Sequence, residues 1–337
     1  MQDAEYQNIS IIGDGGMGTV MGILLCEKGL RPRMWGYDRE QLMQIALRRE
    51  NQKFLRGYAI PEELSFEPDD ERIMAGSDLI VSAVPCQYMR SVWQRLKPCV
   101  PETAPIVSVT KGIENETLLR PTQILAQVLG ESARYAVLSG PTIADELARK
   151  LPATACAAAH SADLAETIQH VFSDGVEWLR VYSNTDVTGV EMAGAMKNVI
   201  AIAAGIIDGV GLGDNAKAAL LTRGLAEITR LGLAMGAKQE TFAGLAGLGD
   251  LVTTCISPTG RNRSFGERIG KGASVEEAQR ATDSVVEGIA TCQSVVALAK
   301  RHHIEMPITE AIHHVIFNDK SVRAALSDLM SRRLKAE

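Results

Sequence analysis

The chain has 337 residues, of which 46% are hydrophobic and 23% are charged. This length predicts two domains, and this composition excludes a disordered chain or a fibrous repeat. The net charge of -6 argues against general nucleic-acid binding, although a few cations in one cleft can still attract an anionic substrate.

The N-terminal segment is polar and shows no signal peptide, so we expect a cytoplasmic protein. The longest apolar stretch, 192–207, is interrupted by Lys197 and Asn198 and is expected to be too short for a membrane span. The six cysteines form no CxxC pair and have no zinc-like spacing. We interpret them as reduced residues, mostly in the core.

In chain order, the first half alternates short apolar runs with helical patterns. The run Ile9–Ile12 predicts a strand that is followed at once by glycine, and 19–27 predicts a buried helix. Further strands are predicted at Arg33–Trp35, 79–84, 106–110, 136–138, Ala153–Ala159 and 178–182. Strands separated by helices predict right-handed crossovers and a mostly parallel sheet.

After residue 186 the pattern becomes helical and shows no convincing strand, with core helices predicted near 216–235 and 285–301. We therefore predict an α/β chain with an N-terminal Rossmann-type parallel-sheet domain, residues 1–186, followed by an all-α C-terminal domain, residues 187–337. The first domain is expected to bind NAD(P), and the second to bind substrate and carry catalysis. A cleft between the domains is the expected ligand site.

Residues 13–18 have the sequence GDGGMG, which fits the pattern GxGxxG. The pattern alone is weak, but here it follows a predicted strand and opens a predicted helix, as dinucleotide-binding loops do. The glycines would let the backbone turn tightly and approach a pyrophosphate at the helix N-terminus. An ordinary glycine-rich turn is the alternative, and the position in the chain favours the dinucleotide.

The second predicted strand is followed by Gly36, Tyr37, Asp38 and Arg39. In dinucleotide-binding domains an acid at this place binds the ribose 2′-hydroxyl, whereas a basic residue meets a 2′-phosphate. Asp38 and Arg39 are therefore both candidates, and each is equally compatible with a solvated surface charge.

Lys197 is the single charge in the apolar stretch 192–207. Burial of an ammonium is costly unless a carboxylate or a ligand compensates, and a buried lysine can serve proton transfer near neutral pH. The alternative is a lysine whose head reaches solvent at a helix edge.

Two further groups add to this pattern. Asp250 lies in the tight apolar turn 247–252 and could hold Lys197, while Arg261 and Asn262 could bind a phosphate. Taken singly, Asp250 is equally compatible with a helix N-cap, and Arg261 with a surface charge.

Together these residues belong to a wider pattern, and the chain resembles the bacterial NAD(P)-dependent glycerol-3-phosphate dehydrogenases from end to end. The segments that carry the resemblance are 13–18, 108–112, 138–142, 197–200, 246–250, 260–263, 286–288 and 306–308. Such an ordered set is far more specific than any one motif. The resemblance implies interconversion of dihydroxyacetone phosphate and sn-glycerol 3-phosphate with NAD(P)H, for glycerophospholipid synthesis, and it suggests a homodimer.

The resemblance also implies roles for individual residues. It makes Lys197 the proton donor to the substrate carbonyl, with Lys111 and Asp250 as further catalytic residues and Thr254 as a weaker candidate. The implied substrate-binding residues are Lys111, Gly140, Thr142, Lys197, Asp250, Gly260, Arg261 and Asn262, the last two as phosphate anchor. The implied cofactor-binding residues are Gly13, Gly15, Gly16, Met17, Gly18, Tyr37, Arg39, Lys111, Ala144, Arg261, Val285 and Glu287.

Four residues depart from the pattern of the family. Gly16 and Met17 stand where many members have serine followed by an aromatic residue, Tyr37 replaces a basic residue, and Met89 stands where an aromatic residue often lies. We expect use of both NADH and NADPH, with a modest preference for NADPH carried by Arg39. A dehydrogenase with another substrate and a non-catalytic NAD(P)-sensing protein are the alternatives. We expect no metal, nucleic-acid or membrane-spanning role.

Overall fold

The computed structural model describes residues 6–131, 134–282 and 285–334, which form two compact units. The first comprises the chain up to residue 111 together with 120–191, and the second comprises 112–119 and the chain from residue 192 onwards. The predicted boundary lies after residue 186, whereas the two units meet between residues 191 and 192, inside a helix that begins at residue 187. The segment 112–119 joins the second unit because Ser294 Oγ lies 3.0 Å from the backbone oxygen of Ile113 and 2.6 Å from Oδ1 of Asn115.

The first unit is built around an eight-stranded sheet. In chain order, the strands of this unit are β1 (Ile9–Ile12), β2 (Arg33–Trp35), β3 (Glu50–Asn51), β4 (Leu55–Ala59), β5 (Ser65–Phe66), β6 (Leu79–Ser82), β7 (Ile106–Ser108), β8 (Tyr135–Ser139), β9 (Ala153–Ala159) and β10 (Leu179–Asn184). The helices are α1 (Gly16–Glu27), α2 (Arg39–Arg48), α3 (Asp70–Met74), α4 (Cys86–Leu96), α5 (Pro121–Leu129), α6 (Ala144–Ala148) and α7 (Ala162–Ser173), with a 3-10 turn at Lys97–Cys99.

The strand order is β10-β9-β8-β7-β6-β1-β2-β5, and neighbours are parallel except for the antiparallel β8–β9 pair. This arrangement confirms the predicted Rossmann-like, mostly parallel sheet. The strand order reverses beside β1, and doubly wound sheets bind ligands at the carboxyl ends of the strands at such a point. All four residues of β1 are buried, and the chain leaves the sheet at Gly13, so the glycine loop lies at this place.

Sequence analysis did not identify β3, β4 or β5. The strands β3 and β5 have two residues each, and β3 pairs with β4 in a separate antiparallel hairpin. Three of the β4 residues are exposed, so β4 lacks the hydrophobic alternation that reveals a half-buried strand.

The regular secondary structure of the second unit is helical, with no strand among its described residues, which confirms the predicted all-α class. It contains most of α8 (Val187–Val210), then α9 (Gly213–Ala234), α10 (Gln239–Ala243), a π-helical turn (Leu245–Gly249), α11 (Asp250–Ile256), α12 (Arg261–Gly270), α13 (Val275–Arg280), α14 (Glu287–Arg301), α15 (Pro307–Phe317) and α16 (Val322–Met330).

The apolar helix α8 is longer than the sequence predicted. It has 24 residues and is long and apolar enough to cross a membrane, whereas the apolar stretch 192–207 within it is shorter. Its most apolar window is nevertheless 94% buried inside the protein, which identifies α8 as a core helix. Glu191 and Asp208 bound the apolar stretch in the sequence, but the helix continues past both of them.

Helices α8 and α12 cross at glycine residues. A Cβ atom on Gly205 would lie 1.9 Å from the backbone oxygen of Arg263, and one on Gly266 would lie 2.0 Å from that of Ile202. Only residues without a side chain let two helix backbones approach so closely. The crossing therefore fixes the position of α12 against the helix that carries the buried lysine.

Candidate active site

The glycine loop joins β1 to α1. The N–H of Gly13 donates to the backbone oxygen of Trp35 at 2.9 Å, and Gly13 has a φ of 119°, which residues with side chains rarely adopt. A Cβ atom on Gly13 would lie 2.7 Å from the backbone oxygen of Ala83, just after β6. The loop therefore lies directly against the ends of β2 and β6, the two neighbours of β1 in the sheet.

The N-terminus of α1 fits a pyrophosphate. Gly15 is the N-cap residue and offers no side chain to the helix, whose first turn contains no acidic residue. Apart from its chain neighbours, no atom of the described residues lies within 4 Å of the place where a Cβ atom on Gly15 would be. Such a terminus attracts phosphate through its backbone N–H groups and the helix dipole. It has the space and the donors that a dinucleotide requires.

Gly16 lies close to the β3–β4 hairpin and to α6. A Cβ atom on Gly16 would lie 2.7 Å from the backbone oxygen of Phe54 and 3.9 Å from the Cβ atom of Ala144. The close approach of Phe54 gives a physical reason for glycine at this position. Ala144, the first residue of α6, lies beside the loop as expected for a cofactor contact.

The turn after β2 contains the two residues considered for ribose recognition. Asp38 is the N-cap of α2, and its carboxylate accepts the N–H groups of Glu40 at 3.0 Å and Gln41 at 3.2 Å. Arg39, the first residue of α2, is exposed, and Tyr37 is 69% exposed. Asp38 thus has a local role in helix capping, whereas the guanidinium of Arg39 is accessible to a ligand.

Lys111, Gly140 and Thr142 lie together after the carboxyl ends of β7 and β8. The Nζ atom of Lys111 donates to the backbone oxygen of Gly140 at 2.9 Å, and the Thr142 hydroxyl donates to the same oxygen at 3.1 Å. Residues 29 positions apart meet because β7 and β8 are parallel neighbours in the sheet. An ammonium and a hydroxyl are thereby held at the same edge of the sheet as the glycine loop.

Lys197 is buried in α8, where 6% of the residue is exposed. Its Nζ atom donates to Oδ1 of Asp250 and to Oγ1 of Thr254, the latter at 2.6 Å. Asp250 is 1% exposed and begins α11, directly after the π-helical turn, a feature that often occurs at functional sites. Lys197 is therefore almost entirely shielded from solvent. The N-cap of α11 is Gly249, and Asp250 is instead the partner of Lys197 in a buried ion pair.

The first turn of α12 carries Arg261 and Asn262. Gly260 is the N-cap and contributes no side chain, and Arg261 is exposed at the first helical position. Asn262 is buried, and its Oδ1 accepts the N–H of Gly288 at 2.9 Å. Because Oδ1 is used in this way, the amide NH₂ is the group that Asn262 can offer to an anion. A guanidinium, an amide and a helix N-terminus together fit a phosphate.

Val285 and Glu287 lie at the N-terminus of α14. Val285 is 47% exposed, and Glu287 is partly buried as the first residue of the helix. The hydrogen bond from Gly288 to Asn262 connects this terminus to the first turn of α12. The two implied cofactor contacts therefore lie near the residues implied for phosphate binding.

Asp208 was not identified from the sequence, although it holds Arg263 in the same turn of α12. The Nε atom of Arg263 donates to Oδ2 of Asp208 at 2.8 Å, and Lys217 forms an ion pair with Oδ1. Burial would raise the pKa of Asp208, but hydrogen bonds and charges from Lys217 and Arg263 outweigh it and lower the pKa. The position of Asp208, three helical turns after Lys197 on one face of α8, is the signal that could have revealed it.

The cysteines are free thiols, and all but Cys99 are buried. Cys255 follows Thr254 in α11, and burial raises the pKa of Cys255 to about 12, so it stays a neutral thiol at physiological pH. Across residues 6–131, 134–282 and 285–334, no group of His, Cys, Asp and Glu side chains could hold a metal ion.

A parallel sheet with a glycine loop at its strand reversal is typical of proteins that bind nicotinamide dinucleotides. The helical second unit adds a buried lysine–carboxylate pair, which is a group suited to proton transfer at a carbonyl. Fold and site together define a two-unit nicotinamide-dependent dehydrogenase.

Comparison with known proteins gives the family. Sequence profiles described as the N-terminus and C-terminus of NAD-dependent glycerol-3-phosphate dehydrogenase match residues 8–165 and 186–327. A glycerol-3-phosphate dehydrogenase (NAD(P)+) of Salinibacter ruber is 47% identical over 332 residues, 98% of this chain and 96% of the relative. One of Geobacter sulfurreducens is 45% identical over 333 residues, 98% of this chain and 99% of the relative. A crystal structure of the Coxiella burnetii glycerol-3-phosphate dehydrogenase matches with a TM-score of 0.93 and 37% identity, covering 97% of this chain and 99% of that one.

The chain therefore belongs to the NAD-dependent glycerol-3-phosphate dehydrogenase family. This result confirms the resemblance, the enzyme class and the NAD(P) cofactor that the sequence predicted. Membership of the family sets aside a non-catalytic sensor and a dehydrogenase of another family.

Proposed function

We propose that the protein interconverts dihydroxyacetone phosphate and sn-glycerol 3-phosphate, using NADH or NADPH. The buried cluster of Lys197, Asp250 and Thr254 carries this proposal. Burial of an ammonium with its carboxylate gains the fold little stability, so such a pair in a core helix indicates a role in binding or proton transfer. The names of the relatives support the same substrate, since they are called glycerol-3-phosphate dehydrogenases.

In the proposed reaction, Lys197 donates a proton from Nζ to the carbonyl oxygen of dihydroxyacetone phosphate as the central carbon is reduced. Asp250 and Thr254 hold Nζ in place, and low exposure strengthens its attraction for the developing oxygen anion. The amine then regains a proton from solvent. In the oxidising direction, the same Nζ atom takes the proton of the hydroxyl group.

The phosphate of the substrate is assigned to Arg261 and Asn262 at the N-terminus of α12, with Gly260 as the N-cap. Binding energy at the phosphate aligns the carbonyl group for reaction, which is how a remote group raises the rate. Lys111 adds a second positive charge to the substrate-binding set, and its hydrogen bond to the Gly140 oxygen fixes it beside Thr142.

The glycine loop, residues 13–18, is assigned to the pyrophosphate of the dinucleotide through its backbone groups. When bound, the cofactor supplies the hydride that reduces the carbonyl carbon. Arg39 is accessible at the start of α2 and carries the proposed modest preference for NADPH. Ala144, Val285 and Glu287 remain cofactor contacts proposed from the family resemblance.

The proposal is tested by the absorbance of reduced nicotinamide during incubation with dihydroxyacetone phosphate. We expect oxidation of NADH and NADPH by the wild type, loss of this activity in Lys197→Met, and full activity in Lys300→Met. Lys300 is the matched control because it is an exposed lysine in another helix of the same unit. A protein that binds either cofactor but does not reduce dihydroxyacetone phosphate would overturn the proposed substrate.

We also propose a cytoplasmic homodimer that supplies glycerol 3-phosphate for glycerophospholipid synthesis. The burial of α8 supports a location away from the membrane, and the family resemblance supports the dimer and the metabolic role. Sedimentation velocity measures the mass of the assembly, and a monomer at micromolar concentration would contradict the dimer. Loss of the protein from its host should lower the synthesis of glycerophospholipids unless glycerol 3-phosphate is supplied.

A further inference from the structure

The carboxyl group of Asp14 fills the space at the end of β2. Asp14 is the second residue of the glycine loop, and Gly36 directly follows β2. A Cβ atom on Gly36 would lie 2.7 Å from Cγ of Asp14, and 2.8 Å and 3.1 Å from its two carboxyl oxygens. A side chain at position 36 would therefore displace this carboxyl group.

This position has a defined role in dinucleotide-binding domains. The residue at the end of the second strand usually supplies the acid that binds the 2′-hydroxyl of the adenosine ribose. Here Gly36 cannot supply it, and the next acid along the chain, Asp38, is used as the N-cap of α2. The carboxyl group at the end of β2 comes from the glycine loop instead.

Hydrogen bonds fix the orientation of Asp14. Gln41 Nε2 donates to Oδ2 of Asp14 at 2.9 Å, and Lys53 Nζ donates to Oε1 of Gln41 at 3.2 Å. Because the ammonium of Lys53 can only donate, the amide oxygen of Gln41 faces Lys53 and the amide NH₂ faces Asp14. Asn51 Nδ2 also donates to the backbone oxygen of Asp14 at 2.8 Å, which fixes the loop.

Asp14 is suited to accept a further hydrogen bond. A carboxylate has two oxygens and about four acceptor positions, and the donor from Gln41 occupies one position on Oδ2. Burial raises the pKa of Asp14, although the bond from Gln41 opposes this rise. A carboxylate that has lost water gains more from a hydroxyl donor than a solvated one does.

We infer that Asp14 accepts the 2′-hydroxyl of the adenosine ribose and disfavours a 2′-phosphate, and that it opposes Arg39 in the choice between NADH and NADPH. A 2′-phosphate brings negative charge to the carboxylate of Asp14, whereas the exposed guanidinium of Arg39 attracts it. The opposition of these two residues accounts for the use of both cofactors. The inference rests on the proposed use of NADH and NADPH. Its test measures cofactor binding alone, so its outcome does not depend on whether dihydroxyacetone phosphate is the substrate.

Dissociation constants for NADH and NADPH, measured by nicotinamide fluorescence, test the inference without turnover. Asp14→Asn keeps the shape of the side chain and removes its charge, so the affinity for NADPH relative to NADH should rise about tenfold or more. Asp38→Asn is the matched control, because it removes a nearby charge while asparagine remains a good N-cap. In this variant the ratio should change less than about threefold.

A second measurement isolates the hydrogen bond. The wild type should bind NADH that lacks the 2′-hydroxyl of the adenosine ribose about tenfold more weakly than NADH itself. Asp14→Ala should bind the two compounds with nearly the same affinity. Thermal unfolding of each variant verifies that it is folded. The inference is overturned by an unchanged ratio in Asp14→Asn, by equal weakening of both cofactors, or by a shift in the ratio that Asp38→Asn produces instead.

Discussion

Lys197→Met removes the buried ammonium, so it tests the contribution of this group to turnover separately from cofactor binding. Methionine is flexible and apolar, so it can fill the space of the lysine stem without its charge. Loss of a general acid typically lowers turnover about 10²–10⁴-fold, and loss of charge stabilisation at the carbonyl oxygen adds to this. Cofactor binding should be nearly intact, because the glycine loop belongs to the first unit.

The same substitution should also lower the free energy of unfolding. Asp250 is 1% exposed, and its Oδ1 accepts a hydrogen bond from Lys197. Removal of one partner of a buried ion pair typically costs about 3–5 kcal/mol, because the other charge stays buried without it. Lys197→Met combined with Asp250→Asn removes both charges, so it should recover most of this stability without recovering turnover.

Turnover with dihydroxyacetone phosphate and equilibrium unfolding in urea measure the two effects. Retention of more than about a tenth of wild-type turnover in Lys197→Met would show that the assigned role is wrong. A double variant less stable than Lys197→Met would refute the reasoning about the buried pair. Lys300→Met should change neither quantity, since Lys300 is exposed.

Three further outcomes follow from the same structure. Arg261→Ala should weaken transition-state binding of dihydroxyacetone phosphate by about 1.5–3 kcal/mol, and of unphosphorylated dihydroxyacetone much less; equal losses would mean that Arg261 does not bind the phosphate. Arg39→Gln should lower kcat/KM for NADPH more than for NADH, and unchanged NADPH use would contradict the role of Arg39. Burial raises the pKa of Asp208, but Lys217 and Arg263 lower it more, so the pKa is lower in the folded than in the unfolded protein. The ionised carboxylate therefore stabilises the fold fully above about pH 4, the usual pKa of an aspartate. This stabilisation is lost as the pH falls through the pKa of the folded state. Asp208→Asn should therefore flatten the acid side of the stability curve, and an acid side as steep as that of the wild type would refute this assignment.

Elements whose structure depends on one short segment of the chain could be predicted from the sequence. The strands β1, β2 and β9 have the predicted bounds, because each is a compact apolar run between turn residues. Lys197 and Asp250 were identified because a charge in an apolar stretch is a local signal. Their pairing depends on two helices that are separated along the chain, since the two positions are 53 residues apart.

The carboxyl group at the end of β2 is a contact that local reasoning does not find. The sequence offered Asp38 and Arg39 because they follow β2, where the acid of a dinucleotide-binding domain is usually found. The structure uses Asp38 to cap α2 and brings the carboxyl group of Asp14 to the end of β2. Gly36 leaves room for the carboxyl group of Asp14. A glycine after a strand has the same local signature whether it makes a turn or leaves room for a distant side chain.

The residues proposed to bind phosphate could be named from the sequence but not located, and the α8–α12 crossing explains why. An arginine at the start of a helix, such as Arg261, has the local signature of any surface charge. Its helix is distinguished by Gly266, which lets α12 approach the backbone of α8, and by Arg263, which is held by Asp208 of α8. Both contacts fix the first turn of α12 relative to the helix of Lys197. The distance between the proposed phosphate anchor and the proposed proton donor is therefore set by helix packing. If the proposed roles hold, selectivity for a phosphorylated substrate should depend on these small residues as well as on the charged ones.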